Sequence, residues 1–79
     1  MPQLIKVEQD DGVNGYAIRQ WTIGGWEFLW KMDDKEFWGY GWEYSKQFLF
    51  NSEKNALDYW DKIIKMRKIK RKITVIKKL

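Results

Sequence analysis

The chain contains no histidine and no cysteine. Those two absences remove the usual general base, the thiolate nucleophile, the common zinc donors and any disulfide staple. Hydrolysis by carboxylates alone would need two acids facing each other across a cleft. Glu27 and Glu43 are the nearest approach to such a pair, and a 79-residue domain offers them little enclosing wall. The expectation is a protein that is not an enzyme and holds no cofactor. No metal site is expected either: Asp10-Asp11-Gly12-Val13-Asn14 lacks the alternating oxygen ligands and distal glutamate of a calcium loop. No apolar run approaches the roughly 20 residues a spanning helix needs. Met1-Pro2-Gln3 has neither the basic nor the apolar region of a signal peptide. No transmembrane segment and a cytoplasmic location are therefore expected.

A chain this short buries a modest core. What it has in place of staples is fourteen aromatic residues, each able to bury a large area. Five of the six tryptophans lie between Gly15 and Trp42, in GYAIRQWTIGGWEFLWKMDDKEFWGYGW. Gly24-Gly25 sits between two β-prone runs and predicts a hairpin with a type I′ turn. The predicted register sets Ile23 opposite Trp26, Trp21 opposite Phe28, Arg19 opposite Trp30 and Ala17 opposite Met32. These side chains share one face, A; Tyr16, Ile18, Gln20, Thr22, Glu27, Leu29 and Lys31 take the other, B. A second turn at Asp33-Asp34-Lys35-Glu36 predicts Met32 opposite Phe37, with Gly39 opposite Trp30 and Gly41 opposite Phe28. Phe37, Gly39 and Gly41 then join face A, and Trp38, Tyr40, Trp42 and Tyr44 join face B. Rings opposite strand glycines cover backbone that glycine leaves bare.

Both faces so carry aromatics, and one helix covers only one of them. The other is covered by the chain termini or a second copy, or it is a docking platform. A homodimer burying the spare face is one such arrangement.

Residues 1–15 hold an edge strand around Leu4-Ile5-Lys6-Val7 and a turn-rich connector. Residues 16–50 form the aromatic meander, with Gln47–Phe50 either ending its third strand or forming a fourth. Residues 52–70 read as a helix, capped by Ser52 with Glu53 at the positive end of its dipole. Ala56, Leu57, Trp60, Ile63, Ile64 and Arg67 recur at helical spacing and should lie on the sheet. Asp58 with Lys62, and Asp61 with Lys65, are i, i+4 pairs for the exposed side. Residues 71–79 include the β-branched run Ile73-Thr74-Val75-Ile76 and read as a basic strand or tail, or as more helix. The fold class is α+β: one domain with an antiparallel meander of three to five strands, one amphipathic helix on one face, and a basic C-terminal segment.

The formal charge of +4 hides a split. Residues 1–61 carry six basic and all eleven acidic side chains, a net of −5; residues 62–79 carry nine basic side chains and no acid. Such asymmetry points to a polyanion partner. The candidate phosphate contacts are Lys62, Lys65, Arg67, Lys68, Lys70, Arg71, Lys72, Lys77 and Lys78. The candidate stacking rings are Trp38, Tyr40, Trp42 and Tyr44. The expected function is binding of nucleic acid or a nucleoprotein. The alternative is a small phage- or mobile-element-type inhibitor that binds an acidic surface of a host protein, since Trp and Tyr anchor interfaces.

The order of meander then helix, over about Tyr16 to Lys68, resembles small sheet-plus-helix DNA-binding modules such as phage-integrase arm regions. The resemblance is architectural and none of their signature residues is placed. The compact, lysine-rich, aromatic-rich, cysteine-free style is similar to short accessory proteins of bacteriophages and mobile elements, anti-CRISPR inhibitors among them. These likenesses imply nucleic-acid binding in the first case and inhibition of a host protein in the second.

Overall fold

Period-2 alternation from Gln3 to Leu29 produces three strands, and the switch to helical period after Ser52 produces one helix. The computed structural model describes residues 1–33 and 35–79. Its antiparallel sheet runs in chain order: β1 (Gln3–Glu8), β2 (Asn14–Thr22), β3 (Gly25–Leu29) and β4 (Trp38–Gly39). A 3-10 segment follows at Trp42–Gln47, then the helix α1 at Glu53–Arg67. The fold is α+β, as predicted.

Both hairpin registers differ from the predicted ones, each by two residues. In β2–β3, Trp21 faces Trp26, Arg19 faces Phe28 and Thr22 faces Gly25. The turn residues are therefore Ile23-Gly24, and the predicted type I′ geometry is absent: Gly25 has φ 115° and Gly24 is not left-handed. The Thr22 hydroxyl closes the turn by donating to the Gly25 carbonyl at 2.9 Å. In β3–β4, Phe28 faces Gly39 and Leu29 faces Trp38. Met32 does not pair with Phe37. Its N–H donates to the Tyr59 hydroxyl at 2.7 Å, and that hydroxyl also reaches the carbonyls of Trp30 and Met32. The helix thus captures residues that would otherwise prolong the ladder. Asp34 of the predicted second turn lies outside the described residues.

A slip of two leaves every strand side chain on its predicted face, because sheet faces alternate with a period of two. The helix covers face B. Ile18, Leu29, Phe50, Ala56 and Ile63 form the buried cluster there, flanked by Leu4, Tyr16, Trp38, Tyr59, Trp60 and Met66. Ser52 caps α1 as predicted: its Oγ accepts the Asn55 N–H at 3.0 Å. Leu57, predicted on the buried stripe, is 44% exposed. Asp58 pairs with Lys54 at 2.7 Å in place of the predicted Lys62. No ion pair joins Asp61 to Lys65 among the described residues.

The second cover is one the pattern reading did not contain. After Gly39 the chain leaves the sheet at Gly41, whose φ of 98° is a glycine conformation. Residues 42–48 then fold over face A. Phe48 is fully buried and stacks on Phe28, with centroids 4.3 Å apart and planes 14° apart. Trp42 packs edge-on against both rings. Phe50 returns to the sheet in a lone antiparallel bridge to Tyr16. The molecule is therefore three layers: helix, sheet, and a short aromatic wrap.

The far end of α1 is tied down by Glu36. Its carboxylate accepts two bonds from Arg67, at 2.7 and 2.6 Å, and one from the Trp38 indole at 2.6 Å. The Arg67 guanidinium also lies over Trp60. Bonding from Arg67, with Trp38 assisting, lowers the Glu36 pKa against the opposing effect of partial burial. A carboxyl with a depressed folded pKa binds fewer protons folded than unfolded, so it stabilises above its ordinary range and loses that contribution as pH falls through the folded value. Glu36→Gln should cost about 1 kcal/mol at neutral pH. It should also flatten the fall in thermal midpoint on acidification. Thermal melts of both proteins across pH 7 to 3 check this; parallel curves would deny Glu36 the role.

Candidate nucleic-acid interface

Charge repulsion along Lys68-Ile69-Lys70-Arg71-Lys72 opposes further helix, and α1 stops at Arg67. Residues 69–79 form neither helix nor strand, and every one of them is exposed. The segment runs out from the helix end, and the molecule measures 57 × 26 × 22 Å. Of the readings open for residues 71–79, the structure shows the unpaired tail.

The nine predicted cationic residues fall into three environments. Lys68, Lys70, Arg71, Lys72, Lys77 and Lys78 are exposed on the tail, with no acidic residue in that stretch. Lys62 and Lys65 are exposed on α1, but they share a shallow depression with Asp58 and Asp61. Their local field is therefore partly neutralised. Arg67 is committed to Glu36. Among the described residues the six tail cations have no ion-pair partner.

The four predicted rings are not brought together. Trp38 and Tyr40 lie on face B as predicted, but that is the face the helix covers and not a free platform. Trp38 is half-buried, 6.3 Å from Trp60 and bonded to Glu36. Tyr40 lies at the sheet end with its hydroxyl 2.8 Å from that of Thr22. Trp42 and Tyr44, predicted on face B, lie on face A, because Gly41 ends the alternation before it reaches them. Tyr44 packs at a tilt on Trp30. Trp42 Nε1 donates to the Gln9 side chain at 2.6 Å when that amide is oriented to donate to Asp11, which ties the wrap to the β1–β2 loop.

No protein-family model matches this chain, and no curated protein or solved structure matches it. The site therefore rests on its own geometry.

That geometry includes an aromatic group which the pattern reading did not select. Trp21 is 63% exposed and meets Trp26 edge-on at 5.1 Å. The Arg19 guanidinium lies 3.8 Å over the Trp26 ring. The group occupies face A next to the Ile23-Gly24 turn, at the end of the sheet where the wrap does not cover Trp21. Its sequence signal was present in the shared face of Arg19, Trp21, Trp26 and Phe28.

Trp30 is the opposite case. Its ring lies directly over Gly39, where any Cβ would collide with the indole. Phe37 and Tyr44 pack around it. This ring-over-glycine contact was predicted, although the two residues meet diagonally and not as ladder partners. Aromatic burial on face A is thus structural at Phe28, Trp30 and Phe48 and free at Trp21. Phe48→Ala should cost about 3–5 kcal/mol, whereas Trp21→Ala should cost under about 1 kcal/mol. Urea unfolding of the two variants distinguishes them, and equal losses would contradict the division.

Proposed function

We propose that the protein binds nucleic acid, free or within a nucleoprotein, by wrapping the tail from Lys68 to Lys78 along phosphates. The observation that supports this reading is six exposed basic side chains on a stretch that forms neither helix nor strand and has no acid in it. Phosphate contacts of this kind are independent of base sequence and release counterions. Trp21, with Tyr40 and Tyr44 in lesser degree, offers the exposed ring area on which unpaired bases stack. A single-stranded partner suits both features better than a duplex, whose bases are already stacked.

The second reading, inhibition of a host protein by direct docking, draws on the same exposed Trp21 and on Arg19 beside it. Both residue types anchor interfaces. The two readings differ in salt dependence.

Binding to labelled single-stranded and duplex DNA and RNA should be measured across a salt series with the full chain. Engagement of all six tail cations predicts a slope of log K against log salt near −4 for single strands. Replacing Lys70, Arg71 and Lys72 with glutamine should reduce that slope by about 2 without altering the fold. Trp21→Ala should weaken single-strand binding by about 1–3 kcal/mol and duplex binding less. Absence of binding at low salt would overturn the nucleic-acid reading and leave docking on a protein.

A further inference from the structure

The long edge of the sheet is bare. β1 runs six residues, and among the described residues its outer side pairs with no strand; the opposite edge is the two-residue β4. A free edge of that length is a template for another strand. Beside it, between β1 and α1, lies an apolar groove lined by Pro2, Leu4, Ile18, Leu57 and Trp60. The tail supplies a matching β-branched run that pairs with no strand among the described residues. Ile73, Val75 and Ile76 are all more than 70% exposed, in a β-branched run with high strand propensity.

We propose that residues 72–77 of one copy add to β1 of a second copy as an antiparallel fifth strand. One register satisfies every position. Ile73 lies opposite Val7, Val75 opposite Ile5, and Ile76 opposite Leu4. Ile73 and Val75 thereby extend face A, and Ile76 enters the groove beside Leu57 on the helix side. Lys72 falls opposite Glu8. Thr74, the one polar residue of the run, falls opposite Lys6, whose ammonium is already paired with Glu8 at 3.2 Å. Lys77 faces Gln3. Slipping the register by one would point the β-branched residues at the wrong faces. Charge favours the same partner, since residues 1–61 are net negative and residues 62–79 wholly basic.

A chain cannot satisfy this register with its own tail. The start of α1, at Glu53, lies beside Lys6, and Leu57 and Trp60 lie beside Pro2 and Leu4. The helix therefore runs away from Glu8 towards Glu36, where Arg67 is bonded. Fifteen helical residues span about 22 Å. The five residues from Arg67 to Lys72 reach at most about 18 Å, and Glu8 lies beyond the near end of the helix. The strand must come from another molecule, and reciprocal exchange closes a two-fold dimer.

The test is the mass of the full chain in solution by analytical ultracentrifugation over a concentration series, with no nucleic acid present. Its outcome is thus independent of the proposed function. The chain of 9.7 kDa should associate reversibly to twice that mass and no further. Tyr16 bonds to Phe50 on its β3 side, so Leu4, Lys6 and Glu8 are the β1 residues whose backbone groups face the free edge, and Thr74, opposite Lys6, donates to the new ladder. Thr74→Pro removes that donor from a residue outside the packed body and should weaken association at least about tenfold, with the circular dichroism of the body unchanged. Lys72→Glu should weaken it by about threefold, and Glu8→Lys in the same chain should restore it. A monomer at every concentration, or association indifferent to Thr74→Pro, would overturn the proposal.

Discussion

The stack of Phe48 on Phe28 is the contact on which the remainder depends. A sheet with aromatic side chains on both faces cannot be stabilised by one helix. Its second face must find cover, and in a chain of 79 residues that cover has to be cheap in length. Residues 42–48 supply it with one ring laid flat on another and Trp42 closing the edge. Gly41 makes this possible by turning the backbone through a left-handed conformation at the end of the ladder. Once the wrap is in place, Tyr16 can meet Phe50, and the chain is delivered to Ser52 in position to start the helix.

The division of labour among aromatic residues follows from that constraint. Phe28, Trp30, Phe48 and Trp38 are occupied with holding layers together, and a surface made from them would dismantle the core. Trp21 lies where neither cover reaches it. The cations divide in the same way. Arg67 serves the helix–sheet junction through Glu36, and Lys62 and Lys65 share their surface with Asp58 and Asp61, while the tail charges are free. Packing thus separates residues that composition lumps together, and it leaves two features outside the packed layers: a basic tail and an exposed tryptophan at the hairpin tip.

The tail has two chemical characters along its length. Lysines and arginines flank a β-branched core of four residues, so a partner can take the charges, the strand, or both. Pairing on β1 would fix Ile73–Ile76 while leaving Lys70, Arg71 and Lys78 outside the new ladder's apolar contacts. Strand exchange and polyanion binding are then compatible uses of one segment.

Much of the fold was legible in the residues alone. Alternation placed Arg19, Trp21, Trp26 and Phe28 on one face and Ile18 and Leu29 on the other. Ser52 and the spacing from Ala56 to Ile63 marked the helix, and the charge count marked the tail. These features are encoded within a few neighbouring residues, where steric and capping preferences act whatever the rest of the chain does. Tertiary structure alone decided the hairpin registers, the face taken by the helix, the departure of Trp42 and Tyr44 from the sheet, and the capture of Arg67 by Glu36. Each of these is a choice between locally equivalent options. Parity survives a slip of two, and either aromatic face would accept a helix. Only contacts between residues far apart in sequence, such as Tyr59 with Met32 and Phe48 with Phe28, break those ties.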